Sequence, residues 1–341
     1  MRDEIIDGFR NGPHVVILGA GATMAAIPNG DKYGNRCSAM DDFIENMGLQ
    51  DILHDCDIQT TSRNLETIFS ELSERPECVD IKNALESQIW NKMGKLVIPD
   101  TPTAYDYLLL SLRYKDHVFS FNWDNLLIQS YQRLQSQFTV DLPQIHFLHG
   151  NVGISFCGDC RIVQPSQNPS CVKCNGPLST PGLLFPVKQK DYSADPYIAG
   201  AWSCFLKALE DAKLLTIFGY SAPSTDQEAV KMMQKAFSQT LKALSTIEVI
   251  DIADRSVVSD KWSSFSRPVN YHIEINSSIF DSLLAKYPRR TTEGYSEVFL
   301  EGRWAESAVT MKESSSMEEL FEQYKPLLDR EDEGDFSFVS N

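Results

Sequence analysis

Five short apolar runs, at residues 14–19, 117–121, 145–148, 214–218 and 247–252, are rich in β-branched and aromatic residues, and helical patterns fill much of the chain between them. Strands that alternate with helices in this way imply an α/β fold, a Rossmann-like doubly wound parallel sheet. Such sheets bind ligands in the crevice beyond the carboxyl ends of their strands. The residues that leave the runs at that edge are the turn Gly19, Ala20 and Gly21, then Asn122, His149, Ser221 and Asp251.

Residues 38–98 interrupt the alternation with helical patterns alone and are expected to form a helical insertion over the sheet. With that insertion and a small module at residues 151–180, the sheet domain covers residues 1–300. Beyond it, MKESSSMEELFEQYKPLL suggests a capped helix, and DREDEGDFSFVSN an acidic tail that is disordered or docks on another molecule. No apolar stretch approaches the roughly 18 to 20 residues that span a bilayer, and MRDEIIDGFRNG lacks the apolar core of a signal peptide. A cytoplasmic location without membrane contact is the expectation. The net charge of −16, with no dense Lys/Arg block, argues against direct nucleic-acid binding.

The small module carries two CxxC pairs, Cys157/Cys160 and Cys171/Cys174, on either side of a short polar segment. Four thiolates from two knuckles suit tetrahedral Zn2+, and with every position filled by protein the role is structural. The competing reading is a pair of redox-active dithiols, but neither pair starts a helix in the usual redox context.

Each candidate at the sheet edge has a plain structural alternative. A GxG after a strand is often only a tight strand-to-helix turn, and here Met24 occupies the place of the third fingerprint glycine. An Asn-x-Asp such as Asn122 and Asp124 is often a helix N-cap, and a His-Gly such as His149 and Gly150 often only a turn. His146 faces away from its chain neighbours and is read as structural. His14, His54, His117 and His272 have no motif around them and receive no role.

The order of these fragments resembles the sirtuin family, in particular the sirtuin-like NAD-consuming effectors of bacterial anti-phage defence. GAGAT, at residues 19–23, is similar to the family's phosphate turn; SFNWD, at residues 120–124, to its Gln-Asn-Ile-Asp segment; LHG, at residues 148–150, to the stretch that carries its active-site histidine. The two CxxC pairs stand where the family has its zinc, GYS (residues 219–221) replaces its Gly-Thr-Ser loop, and IEVID ends on Asp251, where the family holds the adenosine ribose. The resemblance implies an NAD+ site. Asn122, Asp124 and His149 would be catalytic, and Gly19, Ala20, Gly21, Thr23, Asn122, Gly219, Ser221, Asp226 and Asp251 would bind the dinucleotide. In this reading Gly21 lies against the pyrophosphate, so that its replacement by Val abolishes NAD+ binding and leaves the fold largely intact.

The chemistry of those residue types agrees. Cleavage of the nicotinamide glycosidic bond creates an oxocarbenium-like ribose, which needs an amide to orient a nucleophile, a carboxylate to favour the cation and a base for a hydroxyl or water. Two departures from the deacylating sirtuins redirect the outcome. Phe121 replaces a glutamine, and PGLLFPVKQKDYS lacks the Phe-Gly-Glu stretch of the acyl-lysine channel. Water is then the expected nucleophile, which makes the chain an NAD+ hydrolase that releases nicotinamide and ADP-ribose. NAD-dependent deacylation or ADP-ribosyl transfer is the alternative, and a non-catalytic NAD or ADP-ribose sensor a third. Because unrestrained NAD+ loss kills the host cell, control by homo-oligomerisation or by a co-encoded regulatory protein is expected.

Overall fold

The strands in chain order are β1 (His14–Leu18), β2 (His117–Ser120), β3 (Gln144–Phe147), β4 (Ile154–Cys157), β5 (Ile162–Pro165), β6 (Leu214–Phe218), β7 (Thr246–Ile250) and β8 (Ile273–Asn276). They belong to a computed structural model that describes residues 2–38, 40–41, 43–53, 57–186, 190–238, 245–266, 273–303 and 306–338. Six strands form one sheet in the order β3-β2-β1-β6-β7-β8, with every neighbouring pair parallel. β1, β6 and β7 are buried along their whole lengths, as central strands covered by helices on both faces must be.

The chain builds outward from β1 in one direction, then returns to the other side of β1 with β6. The strand order therefore reverses between β1 and β6, the place where a sheet of this kind binds its ligands. The sixth strand, β8, had no counterpart among the five apolar runs. It lies at the sheet edge with all four residues half-buried, and Glu274 and Asn276 break its apolar character.

The expected insertion is helical, with helices Phe43–Asn46, Gln50–Leu53, Leu65–Glu74 and Val79–Gly94. Residues 39, 42 and 54–56, His54 among them, lie outside the described residues, as do residues 187–189 and His272. Asn64 starts the third of these helices by accepting the N–H groups of Glu66 and Thr67, two donors that a helix end otherwise leaves unpaired. The insertion is pinned over the sheet edge by Phe69, which stacks on Phe185 at 4.9 Å, and Phe185 in turn packs on Trp123 at 5.1 Å.

The C-terminal helix, Met317–Asp332, is capped by Ser316 and buries Leu320, Tyr324 and Leu327 against the body of the domain. The acidic tail, expected to be free or to dock on another molecule, folds back on its own chain as far as it is described. Arg289 and Arg290 are almost completely buried, and both donate to Glu331. Arg290 also donates to the carbonyl oxygens of Asp335 and Ser337, at 3.0 and 3.1 Å. Two buried guanidiniums need many acceptors, and the tail supplies these while the carbonyls of Leu110, Leu112 and Asp141 serve Arg289. Among the described residues no helix is long and apolar enough to cross a membrane.

Candidate active site and metal centre

Both strands of the β1–β6 pair are followed at once by glycine, Gly19 and Gly219, because two backbones meet there. A Cβ on Gly21 would stand 2.7 Å from Gly219 Cα, and one on Gly19 2.5 Å from Tyr220 Cα. Gly219 itself has φ +60°, a left-handed conformation that favours glycine. The two loops are tied directly: Gly21 N–H donates to Gly219 O at 2.9 Å, and Gly19 N–H to Phe218 O at 3.0 Å. Gly21 is thus required by its own chain, so the expectation that Gly21→Val would spare the fold is corrected. The helix Ala20–Ala26 starts at this turn with no side-chain cap.

Over the turn opens a cleft of about 1260 Å³, and it gathers most of the residues singled out in the sequence. Gly19, Ala20, Gly21, Asn122, His149, Gly219, Ser221, Asp226 and Asp251 all line it. Glu66 and Asn64 from the helical insertion line it too, as do Phe121 and Tyr220. Thr23 and Asp124 lie beneath its floor, both buried.

That floor is a closed hydrogen-bond chain. Asn122 Nδ2 donates to Gly19 O at 2.8 Å and to Thr23 Oγ1 at 2.9 Å. The carbonyl of Gly19 can only accept, which fixes the orientation of the amide. Thr23 Oγ1 donates its single proton to Asp124 Oδ2 at 2.8 Å, so the Tyr105 hydroxyl, at 2.7 Å, is the donor to Thr23. Asp124 Oδ1 accepts from Leu126 N–H at 3.1 Å, a turn just ahead of the helix Leu126–Gln137, whose N-cap is Asn125 without a side-chain cap. Burial raises the Asp124 pKa in spite of these donors. Asn151 adds a tie that had no motif to announce it: its Nδ2 donates to the carbonyls of Asn122 and Asp124, locking the two loops together.

His149 sits at the opposite wall. Phe121 meets its ring edge-on at 4.8 Å and stacks flat on Tyr220, at 4.2 Å and 4° between planes. His149 Nε2 is shielded from solvent, and no described group hydrogen-bonds to it. Asp226 Oδ1 lies 3.8 Å from it. Asp226 accepts from the buried Lys190 ammonium and, at 2.9 Å, from the Tyr220 hydroxyl. Burial, then the Lys190 charge, depress the His149 pKa to about 3, against a partial counter-effect of Asp226. The imidazole is therefore neutral at physiological pH. Burial alone would raise the Asp226 carboxyl, but the Lys190 ammonium and the Tyr220 hydroxyl hold it below the usual range.

Lys190 and Tyr220 belong to this wall, yet neither was visible as a candidate. Tyr220 stands between Gly219 and Ser221 and could have been found by position alone. Lys190 comes from an irregular segment after the small module, and nothing local marks it.

In that module β4 and β5 pair antiparallel, and Cys157 closes β4. One sulfur from each of Cys157, Cys160, Cys171 and Cys174 lies within 4.8 Å of the others. Cys157 Sγ and Cys174 Sγ are 3.7 Å apart. A disulfide needs ~2.05 Å, whereas tetrahedral zinc with ~2.3 Å Zn–S bonds separates its sulfurs by about 3.8 Å. The N–H groups of Lys173 and Gly176 point at Cys171 Sγ and Cys174 Sγ, each at 3.4 Å, as thiolates require. The four cysteines fit a structural zinc.

No family model matches the chain, and no curated protein does. Solved structures are similar to it: a Sir2 homologue in complex with NAD is 13% identical, with 88% of this chain and 93% of that chain covered and a TM-score of 0.39. A Sir2 bound to acetylated peptide is 14% identical, with 89% and 98% covered and a TM-score of 0.37.

Proposed function

We propose that the chain is an NAD+ hydrolase, releasing nicotinamide and ADP-ribose. The observation that carries this reading is the meeting of Asn122, His149 and the Gly19–Gly21 turn in one cleft at the β1–β6 crossover. The pyrophosphate is assigned to the backbone of the turn, where the start of a helix favours an anion. The adenosine ribose is assigned to Asp251, which lines the cleft at the end of β7, and the nicotinamide ribose to Asn122 and His149.

A neutral imidazole with an unpaired Nε2 can accept a hydrogen bond from a ribose hydroxyl or water as the glycosidic bond breaks. Asn122 Nδ2 is committed to Gly19 and Thr23, so its Oδ1 is the atom assigned to the nucleophile. Asp124, under the floor, is assigned to holding that amide through Thr23 and to a negative potential beneath the developing cation. The flat stack of Phe121 on Tyr220 occupies the wall where a deacylase carries glutamine, which favours water over an acyl peptide as acceptor.

Purified protein incubated with NAD+ should release nicotinamide and ADP-ribose in equal amounts without added peptide. Asn122→Ala and His149→Ala should each lower that rate by about 100-fold or more. Nicotinamide release that depends on an acylated peptide would replace hydrolysis with deacylation, and NAD+ binding without turnover under every activating condition would leave a sensor. We assign the activity to an NAD-depleting effector of antiviral defence, controlled by self-assembly or by a co-encoded protein. Control of that kind should change the rate at least about tenfold, or ~1.4 kcal/mol, between assembly states.

A further inference from the structure

β2 and β3 lie side by side in a register that sets Phe119 opposite His146 and His117 opposite Gln144. The two-residue period of a strand puts His117, Phe119 and His146 on one face. Their rings form a continuous stack, with His146 4.9 Å from Phe119 and 5.9 Å from His117. The helix Pro196–Asp211 covers that face: its Phe205 packs on Phe119 at 4.6 Å, and its Cys204 brings Sγ to 3.6 Å from His146 Nε2.

One donor atom from each of His117, His146 and Cys204 lies within 4.8 Å of the other two. All three residues are half-buried, so the cluster is sheltered yet open to entry from solvent. His117 Nδ1 is shielded, and no described group hydrogen-bonds to it. A thiol-to-imidazole hydrogen bond would account for Cys204 and His146 alone and would leave His117 unpaired. An ion shared by the three gives each residue a partner.

The geometry points to a second metal site, in which His117, His146 and Cys204 bind one zinc-class transition-metal ion and a water or outside ligand takes the fourth position. Two imidazoles and a thiolate are the donor set of borderline-soft ions such as Zn2+ and Co2+. Zinc bound to nitrogen at ~2.0–2.1 Å and to sulfur at ~2.3 Å separates the two by about 3.6 Å, which is the spacing already present between His146 and Cys204. The site shares no residue with the four-cysteine centre or the cleft. An ion there would staple β2 and β3 to the helix that also donates from Trp202 Nε1 to Leu148 O, one residue before His149.

The test uses full-length protein with its four-cysteine zinc retained, titrated with Co2+. The wild type should take up one further equivalent, with the ligand-field bands of tetrahedral cobalt and a thiolate-to-metal charge-transfer band. Cys204→Ser should lose the charge-transfer band, and both Cys204→Ser and His146→Gln should weaken cobalt binding at least tenfold. Zinc content measured on the same samples reports whether the variants keep the four-cysteine centre and hence their fold. Added Zn2+ should raise the melting temperature of the wild type and not of Cys204→Ser. Failure of the wild type to bind a further equivalent, or a cobalt spectrum and affinity unchanged in both variants, overturns the proposal.

Discussion

Lys190 and Asp226 form an ion pair at the cleft wall with only 4% and 3% of their side chains exposed. The pair sets the electrostatics around His149 and also holds the Tyr220 hydroxyl. Removing one partner strands the other charge away from water. Asp226→Asn should therefore cost about 3–5 kcal/mol in urea unfolding, and Asp226→Asn combined with Lys190→Met should recover a large part of that loss. Equal loss in the single and double variants would show that the pair is not the cause.

The glycines at the crossover carry a second expectation. Gly21→Val must displace the Gly219 backbone, so it should lower folding stability and soluble yield as well as any affinity for NAD+. Gly219→Ala faces a left-handed φ and contact with the Gly21–Ala22 backbone, and should destabilise by more than about 1 kcal/mol in the same assay. Wild-type unfolding midpoints in both variants would mean that the loops separate freely.

Zinc removal should act first on the small module. Cys171→Ser should abolish metal at the four-cysteine centre, and residues 151–180 should become sensitive to protease, because the two short strands β4 and β5 have little core of their own. Metal analysis and limited proteolysis check this. A zinc-free protein with the module still protected would contradict it.

Acid stability follows from four histidines. Burial lowers the pKa of His14 to about 3 and, aided by neighbouring charges, those of His149 to about 3 and His146 to about 4; His117 is lowered for the same first reason. An unfolded histidine titrates near 6.5, so as pH falls from about 6.5 toward 4 the unfolded chain gains protons that the folded chain refuses, and stability is lost. Glu248 has the opposite sign. Burial raises its pKa to about 7, so it retains a proton that the unfolded chain has already released and its contribution shrinks as pH rises from about 4.5 to 7. The histidines outnumber it, and the melting temperature should fall by roughly 5 °C or more between pH 7 and pH 5. Glu248→Gln should steepen that fall. A flat profile across this range would contradict the burial of the histidines.

Much of the fold was legible because central parallel strands are buried along their whole length, carry mostly apolar residues and announce themselves locally. β1, β6 and β7 are such strands. β8 is not: an edge strand needs only a half-buried surface, and Glu274 and Asn276 gave its segment no apolar run. The four cysteines were equally local, since knuckle spacing is a property of a few consecutive residues.

The strand-helix alternation, the cysteine knuckles and the identity of the residues that leave the strand ends can be read along the chain, because each depends on chemistry within a short stretch. That Gly21 answers to Gly219, that Asp124 and Thr23 lie under the cleft while Asn122 and His149 face it, and that Lys190 joins Asp226 became visible once the chain was folded. The Gly21–Gly219, Thr23–Asp124 and Lys190–Asp226 relations each join distant segments, 36 residues apart in the nearest case. They depend on which backbones meet at the crossover and on which buried charge finds a partner, and local periodicity carries no record of either.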